Sequence, residues 1–120
     1  MIRLTRFAAP LIAALLAACA PPWMAKSSDL IAAGKYDDAY AIASDAQAHE
    51  TSPQNYMAAF FAGCAAYHGD QLDVAEEHLQ FAATAIETNP SWVQYRSWEI
   101  MAFCKVRRAF QRFKIGRAHV

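Results

Sequence analysis

The sequence predicts an all-α protein made of antiparallel helix hairpins. Alanine, the residue with the highest helix propensity, recurs throughout the chain. Only four of the 120 residues are glycine, and no segment shows the alternating β-branched pattern of a strand. Apolar residues instead recur every three or four positions between breaks at Gly, Pro and Asn. About a hundred residues remain after a leader segment, which is enough for one small domain.

Proline and glycine bound the first two predicted helices. The first begins at Pro22, because a proline fits the first helical turn, where its missing N–H has no partner. Gly34 stops this helix at its carboxyl end. The second begins near Tyr36, where Asp37 complements the positive end of the helix dipole, and it ends at Thr51.

Three further helices follow. Ser52-Pro53 joins an N-cap residue to a proline at the first helical position, which predicts the start of the third helix. His68-Gly69-Asp70 closes it. The fourth helix begins at Leu72 and continues until Asn89-Pro90 breaks it. The fifth opens at Ser91 and carries apolar residues at three- and four-residue spacing toward its end.

The first eighteen residues have the parts of an export signal. Arg3 and Arg6 precede an apolar stretch from Phe7 to Ala18, and small residues follow. A membrane-spanning helix needs about 20 apolar residues, and this run is shorter and contains Pro10. The pattern therefore predicts a leader that directs export.

Leu16-Ala17-Ala18-Cys19 resembles the lipobox of bacterial lipoproteins. The resemblance implies that residues 1–18 are removed, that Cys19 receives a diacylglycerol and that residues 19–22 form the tether. Because Ala20 stands where an aspartate would retain the protein, the expected location is the periplasmic side of the outer membrane of a Gram-negative bacterium. Several acyl chains anchor a protein durably. The alternative, ordinary signal cleavage after Ala20, would leave Pro21 directly after the scissile bond.

The segment Gly34-Lys35-Tyr36-Asp37-Asp38-Ala39 resembles the turn between the paired helices of a tetratricopeptide repeat. That repeat is about 34 residues long, and Gly34 to Gly69 is a matching interval. The resemblance implies an α-solenoid of stacked hairpins over residues 23–114, with an incomplete third repeat. An unrelated antiparallel helical bundle with similar turns is the alternative. The residues expected to form the turns and the packing wedges are Gly34, Tyr36, Ala39, Gly69, Leu72, Ala75 and Pro90.

The second predicted turn departs from the repeat pattern. It carries one residue more than the usual spacing, and Leu72 stands where an aromatic residue is common.

The same resemblance implies a groove on one side of the stack, in which an extended peptide or protein segment lies. Small residues would make this groove shallow and adaptable. The competing interpretation assigns the large aromatic side chains of these helices to the core. The residues that the repeat register places on the groove are Tyr56, Ala59, Gly63, Ala66, Gln94, Ser97 and Met101.

The sequence contains no recognisable catalytic or metal-binding pattern. Its histidines, such as His49, His68 and His78, have no second ligand at metal-binding spacing. We therefore expect no catalytic residues, no cofactor and no metal, and hence no enzyme. All eleven acidic residues lie between Asp29 and Glu99, so a nucleic-acid partner is not expected, because binding phosphate needs a basic surface.

Cys64 and Cys104 are the cysteines besides Cys19. Both lie in apolar helical patterns, where a small thiol packs well. An oxidising compartment would also permit a disulfide between them, and the sequence leaves both possibilities open.

The last six residues, Ile115 to Val120, equal a translation of ATC GGA AGA GCA CAC GTC, which matches a common sequencing adapter. We expect the natural sequence to depart from this one after Lys114. The function expected from all these features is a lipid-anchored scaffold for a protein or peptide of the cell envelope. The alternatives are a helical accessory domain of a longer exported enzyme and a small-molecule carrier whose apolar cavity is flanked by Trp92, Tyr95 and Trp98.

Overall fold

A computed structural model describes residues 20–84 and 91–118. The prediction of an all-α protein is confirmed, since this part of the chain forms helices and no strand. Within it, no helix is both long and apolar enough to cross a membrane. The leader 1–18, Cys19 and Pro90 lie outside the described residues. The helices are α1 (Pro22–Ala32), α2 (Tyr36–His49), α3 (Gln54–His68), α4 (Leu72–Ala83) and α5 (Ser91–Ala118).

The helix starts follow the sequence signals with one difference, whereas two predicted ends are wrong: α2 ends at His49 rather than Thr51, and α4 ends at Ala83 rather than at Asn89-Pro90. The third helix begins at Gln54, one residue later than predicted, and Pro53 rather than Ser52 holds the N-cap position. No side chain caps this helix. The backbone carbonyls of Thr51 and Pro53 instead accept the N–H groups of Asn55 and Tyr56, so the prolyl turn itself supplies acceptors to the first helical donors.

Consecutive helices pack against each other in chain order, and α3 also contacts both α1 and α5. α3 therefore contacts all four other helices, which explains why its sequence is apolar on every side. The core lies between α3, α4 and α5, where Leu79, Val93 and Cys104 are fully buried.

The α1–α2 and α3–α4 hairpins turn through the same backbone motif. In the first turn Gly34 has a φ of 77°, and the N–H of Lys35 donates to the carbonyl of Leu30 at 2.9 Å. In the second turn Asp70 has a φ of 63°, and the N–H of Gln71 donates to Ala66 at 2.8 Å. Both are Schellman motifs, in which a left-handed residue lets a late N–H bond back into the last helical turn.

This geometry corrects the alignment of the two hairpins. The residue equivalent to Gly34 is Asp70, not Gly69, so the hairpins repeat after 36 residues. The extra residue in the second turn disappears once the left-handed positions are matched. Tyr36 and Leu72 then correspond, and so do Ala39 and Ala75, both of which are fully buried.

Gly69 has a packing role in place of the turn role. A Cβ at this position would lie 3.4 Å from the Cβ of Tyr36 and 3.3 Å from the carbonyl oxygen of Ala65. The Tyr36 ring stacks on His68, with centroids 5.6 Å apart. Tyr36 therefore holds the start of α2 against the end of α3.

Each hairpin also has one site of close helix approach, and these two sites are 36 residues apart in sequence. Ser27 on α1 is fully buried, and its hydroxyl donates to the carbonyl of Ala39 at 3.3 Å. Gly63 on α3 is its equivalent, and a Cβ there would lie 2.6 Å from Cγ of Leu79. Helix pairs approach this closely only where side chains are small.

A polar bridge joins the second helices of the two hairpins. His78 of α4 lies between Tyr40 and Gln47 of α2, with its Nε2 2.9 Å from the Tyr40 hydroxyl and its Nδ1 2.7 Å from Oε1 of Gln47. Because the amide oxygen can only accept, Nδ1 carries the proton and Nε2 accepts from Tyr40. The neutral imidazole thus links the hairpins.

Candidate functional site

The structure places most of the predicted groove residues in the packing between helices. Ala59, Gly63 and Ala66 of α3 are buried, and so is Ser97 of α5, whose hydroxyl donates to the carbonyl of Val93 at 2.7 Å. Gly63 shows the reason, since even a methyl group there would collide with Leu79. Small residues occupy these positions because the helix backbones approach closely.

The other three predicted residues are half-buried and hold helices together. The Tyr56 ring stacks on Phe81 of α4 at 4.8 Å. The side-chain amide of Gln94 donates to the carbonyl of Ala83 at 3.1 Å. Met101 packs against the core. Together these contacts fix α4 between α3 and α5, and the seven residues do not form one open surface.

A different surface forms where α3 contacts α5. Its aromatic end is the pair Phe60 and Trp92, whose rings meet edge to face at 5.7 Å. At its other end the Arg107 guanidinium lies 4.3 Å from the centre of the Tyr67 ring, and it donates to the Tyr67 carbonyl at 2.8 Å. We call this the α3–α5 surface; its residues are Phe60, Cys64, Tyr67, Trp92, Arg96 and Arg107.

The α3–α5 surface is partly open to solvent. Trp92 is 47% exposed, and Arg96 is exposed and paired with Glu99 at 2.8 Å. Arg107 is 3.7 Å from Asp70. The surface therefore combines aromatic rings with two guanidinium groups, and each of these groups has only one carboxylate within ion-pair distance in the described chain.

The Cys64 thiol of this surface is not activated as a nucleophile. Burial raises the pKa of Cys64 to about 12, although the nearby Arg96 charge opposes the shift. Burial also raises the pKa of Cys104, with the Glu76 charge acting in the same direction. Both cysteines are free thiols. Because the thiolate is the reactive form, neither is activated as a nucleophile.

The aromatic contacts continue from this surface to the first helix. Phe60 meets Phe61 at 6.1 Å, and Phe61 meets Trp23 of α1 at 5.7 Å, so a row of rings connects α1, α3 and α5. The indole N–H of Trp23 is buried without an acceptor in the described part of the chain. Leaving such a donor unpaired costs about 1–3 kcal/mol.

A crevice of about 240 Å³ lies between the two hairpins. Its walls include Tyr36 and Tyr40 from α2, Ala66 and Gly69 from the end of α3, and Val74 from α4. Sites for drug-sized ligands are larger, at about 300–1,000 Å³. Among the described residues, no group of three His, Cys, Asp or Glu side chains is placed to hold a metal ion.

Comparison with protein-family profiles, with curated proteins and with solved structures finds no match to this chain.

Sequence reasoning missed Tyr67 and Arg107 as residues of the α3–α5 surface. For α3 a signal existed, because the half-buried Met57, Cys64 and Tyr67 recur at helical spacing, each one residue after a position of the predicted set. No local signal could have identified Arg107, since its partner Tyr67 lies 40 residues away in the chain.

Proposed function

We propose that this protein is a lipid-anchored scaffold at the periplasmic face of the outer membrane, where it holds a protein or peptide partner through its helical repeat. The observation that carries the proposal is the internal repetition of the hairpins. Their turns share the same left-handed position and the same hydrogen bonds, 36 residues apart. The contacts of α3 with α1 and α5 are those expected when hairpins stack side by side as a tetratricopeptide-like solenoid.

The α3–α5 surface is the binding site in this proposal. Tryptophan, tyrosine and arginine are the residues that contribute most to binding energy at protein interfaces, and here Trp92 lies at one end of the surface and Tyr67 with Arg107 at the other. Trp92 offers an exposed apolar ring, and the guanidinium groups can donate hydrogen bonds to a backbone carbonyl or a carboxylate. The chemistry suits an extended segment that alternates apolar and acidic side chains.

The membrane tether rests on the lipobox resemblance. Only two residues separate Cys19 from the first residue of α1, Pro22. A lipid on Cys19 would therefore hold the helical domain directly at the bilayer surface. Mass spectrometry of the protein from a Gram-negative host should find a mature chain that begins with acylated Cys19, and the variant Cys19→Ser should leave the membrane fraction. An unmodified Cys19 on an uncleaved leader would remove the tether from the proposal.

Site-specific photo-crosslinking tests the binding site. A photoreactive phenylalanine analogue at Trp92 should crosslink one discrete partner in intact envelopes, because this position is exposed within the α3–α5 surface. The matched control is the same analogue at Asp45, which is exposed on α2 away from that surface. An Arg107→Ala background should weaken the crosslink at Trp92. Identical products from both positions, or none from Trp92, would contradict the proposed site.

A further inference from the structure

The long α5 has a second apolar face opposite its buried one. Val93, Ile100 and Cys104 face the core and are at most 7% exposed. At 3.6 residues per turn, a set of exposed positions recurs on the other side of the helix. We call this set the outer stripe; its residues are Tyr95, Trp98, Ala102, Val106, Ala109 and Phe110.

The outer stripe is apolar, yet its large side chains are exposed to solvent. Tyr95 is 66% exposed, Trp98 50%, Val106 56% and Phe110 62%. Contiguous exposed apolar patches on soluble proteins mark interaction sites. Packing among residues 20–84 and 91–118 therefore accounts for one face of α5, and no helix in these ranges covers the other.

The shape of the stripe suits a packed helix. Ala102 and Ala109 lie along its centre, seven residues apart, with larger side chains before and after each. An open hollow of about 390 Å³ is lined by Ala109, Phe110 and Phe113. Small residues at a seven-residue interval admit the side chains of a second helix, as knobs enter holes in a coiled coil.

The size of the stripe fits the helices that this chain itself uses for packing. Tyr95 to Phe110 spans about 22 Å at the rise of an α-helix, and α2, with its 14 residues, is about 21 Å long. Within the fold, α3 has α2 and α4 packed against it as the second helices of the two hairpins. The outer stripe is therefore long enough to pack against one more helix of the length of α2.

The charges around the stripe specify the partner. Lys105 and Arg112 border it on one side and Lys114 on the other, and all three are exposed with no carboxylate within ion-pair distance in the described chain. The helical repeat also places the exposed Glu99 on this face, where it pairs with Arg96 at 2.8 Å. No Asp or Glu follows Glu99 in the sequence. The chain's own packing helices carry the opposite charge, as Arg108 of α5 shows by binding both Asp73 and Glu76 of α4.

We propose that the outer stripe is a docking site for an acidic amphipathic helix of a partner protein. The helix lays an apolar face along the two alanines, and its flanking carboxylates meet Lys105, Arg112 and Lys114. A second copy of the chain is disfavoured, because its own outer stripe has the same positive border. Binding to a bilayer is distinguished from binding to a helix by the vesicle experiment below. This site is separate from the α3–α5 surface, so either can fail alone.

Two synthetic helical peptides of about 20 residues test the proposal. They share one leucine and alanine stripe, and one has glutamate flanks while the other has lysine flanks. Fluorescence anisotropy with the purified full chain should show saturable binding of the glutamate peptide alone. The change Ala109→Arg should abolish this binding, because the arginine fills the hollow. Reversing Lys105 and Arg112 to Glu should weaken it about 10-fold, whereas reversing Lys26 and Lys35 should not.

Three results would overturn the proposal. One is equal binding of both peptides, or binding that Ala109→Arg leaves unchanged. Another is a dimer in sedimentation experiments that the same variant dissociates, which would make a second copy the occupant. The third is stronger binding to vesicles that contain phosphatidylglycerol than to the glutamate peptide. Circular dichroism establishes that each variant keeps its helix content, and the positions changed are all exposed.

Discussion

The two hairpins solve the same packing problem with different residues. In the first, Ser27 lies opposite a helix that carries Ala43, and in the second, Gly63 lies opposite Leu79; each residue is 36 positions from its equivalent. A larger residue on one helix is matched by a smaller one on the other. The comparison teaches that equivalent positions of the two hairpins can be closely packed with different pairs of side chains.

Exchanging the residues of the second crossing for those of the first tests this reciprocity and should give the largest effects. Leu79→Ala removes a fully buried side chain and should lower the free energy of unfolding by about 2–5 kcal/mol. Gly63→Ser alone should lower it by about 1–3 kcal/mol, because the new side chain collides with Leu79. The double variant should lose less free energy of unfolding than the sum of the two single losses, by at least about 1 kcal/mol. Urea denaturation of all three variants measures the coupling.

The reverse exchange in the first hairpin is the matched control. Ala43→Leu should destabilise the fold by itself and less so together with Ser27→Gly. Strict additivity in both hairpins would show that the two crossings are not equivalent.

The turns offer a second way to sharpen the comparison. Gly34→Ala should lower the free energy of unfolding by about 1–2 kcal/mol, because a Cβ resists the left-handed region. No atom lies within 4 Å of that Cβ, so backbone strain is the only cost. Gly34→Asp, which copies the second turn, should cost less, since aspartate tolerates this conformation. Thermal unfolding compares the two, and equal losses would contradict the equivalence of Gly34 and Asp70.

The link between the hairpins should give the smallest effect, and it depends on pH. Burial lowers the pKa of His78 below its ordinary 6.5, although the Glu77 charge opposes this. The unfolded chain then binds more protons than the folded one near that pH. The stability from this group is complete above pH 6.5 and is lost as pH falls through 6.5 toward the folded pKa.

Unfolding titrations between pH 7.5 and pH 5 should show this loss in the wild type, and His78→Gln should reduce it. His49→Gln is the control, because His49 is exposed and lies away from the bridge. An unchanged pH dependence in His78→Gln would show that the bridge does not contribute.

The local sequence was sufficient for the helices and insufficient for the surfaces. Pro22, Gly34 and Leu72 mark boundaries because they act on their own backbone, and the structure has helix ends at or beside all three. The sequence pattern matched Gly69 to Gly34, but it is Asp70 that adopts the left-handed conformation of Gly34. Either residue can do so, and the choice depends on where Tyr36 packs against Gly69.

The candidate site, too, could be predicted from the sequence only in part. Aromatic and arginine residues are visible in the sequence, but a rotation of one position around α3 decides which of them face α5. The small residues Ala59 and Gly63 suggested a groove from their size alone, yet the structure uses that size to bring α3 against α4.

The sequence by itself determined that the chain is helical, where its helices begin to within a residue, and that its positive charge gathers in the last helix, because each of these depends on interactions within a few residues. Only the tertiary structure decided which face of each helix is buried, that Arg107 reaches Tyr67, and that the outer stripe of α5 stays exposed. Those outcomes depend on contacts between residues far apart in the chain, whose geometry is fixed only when the helices pack.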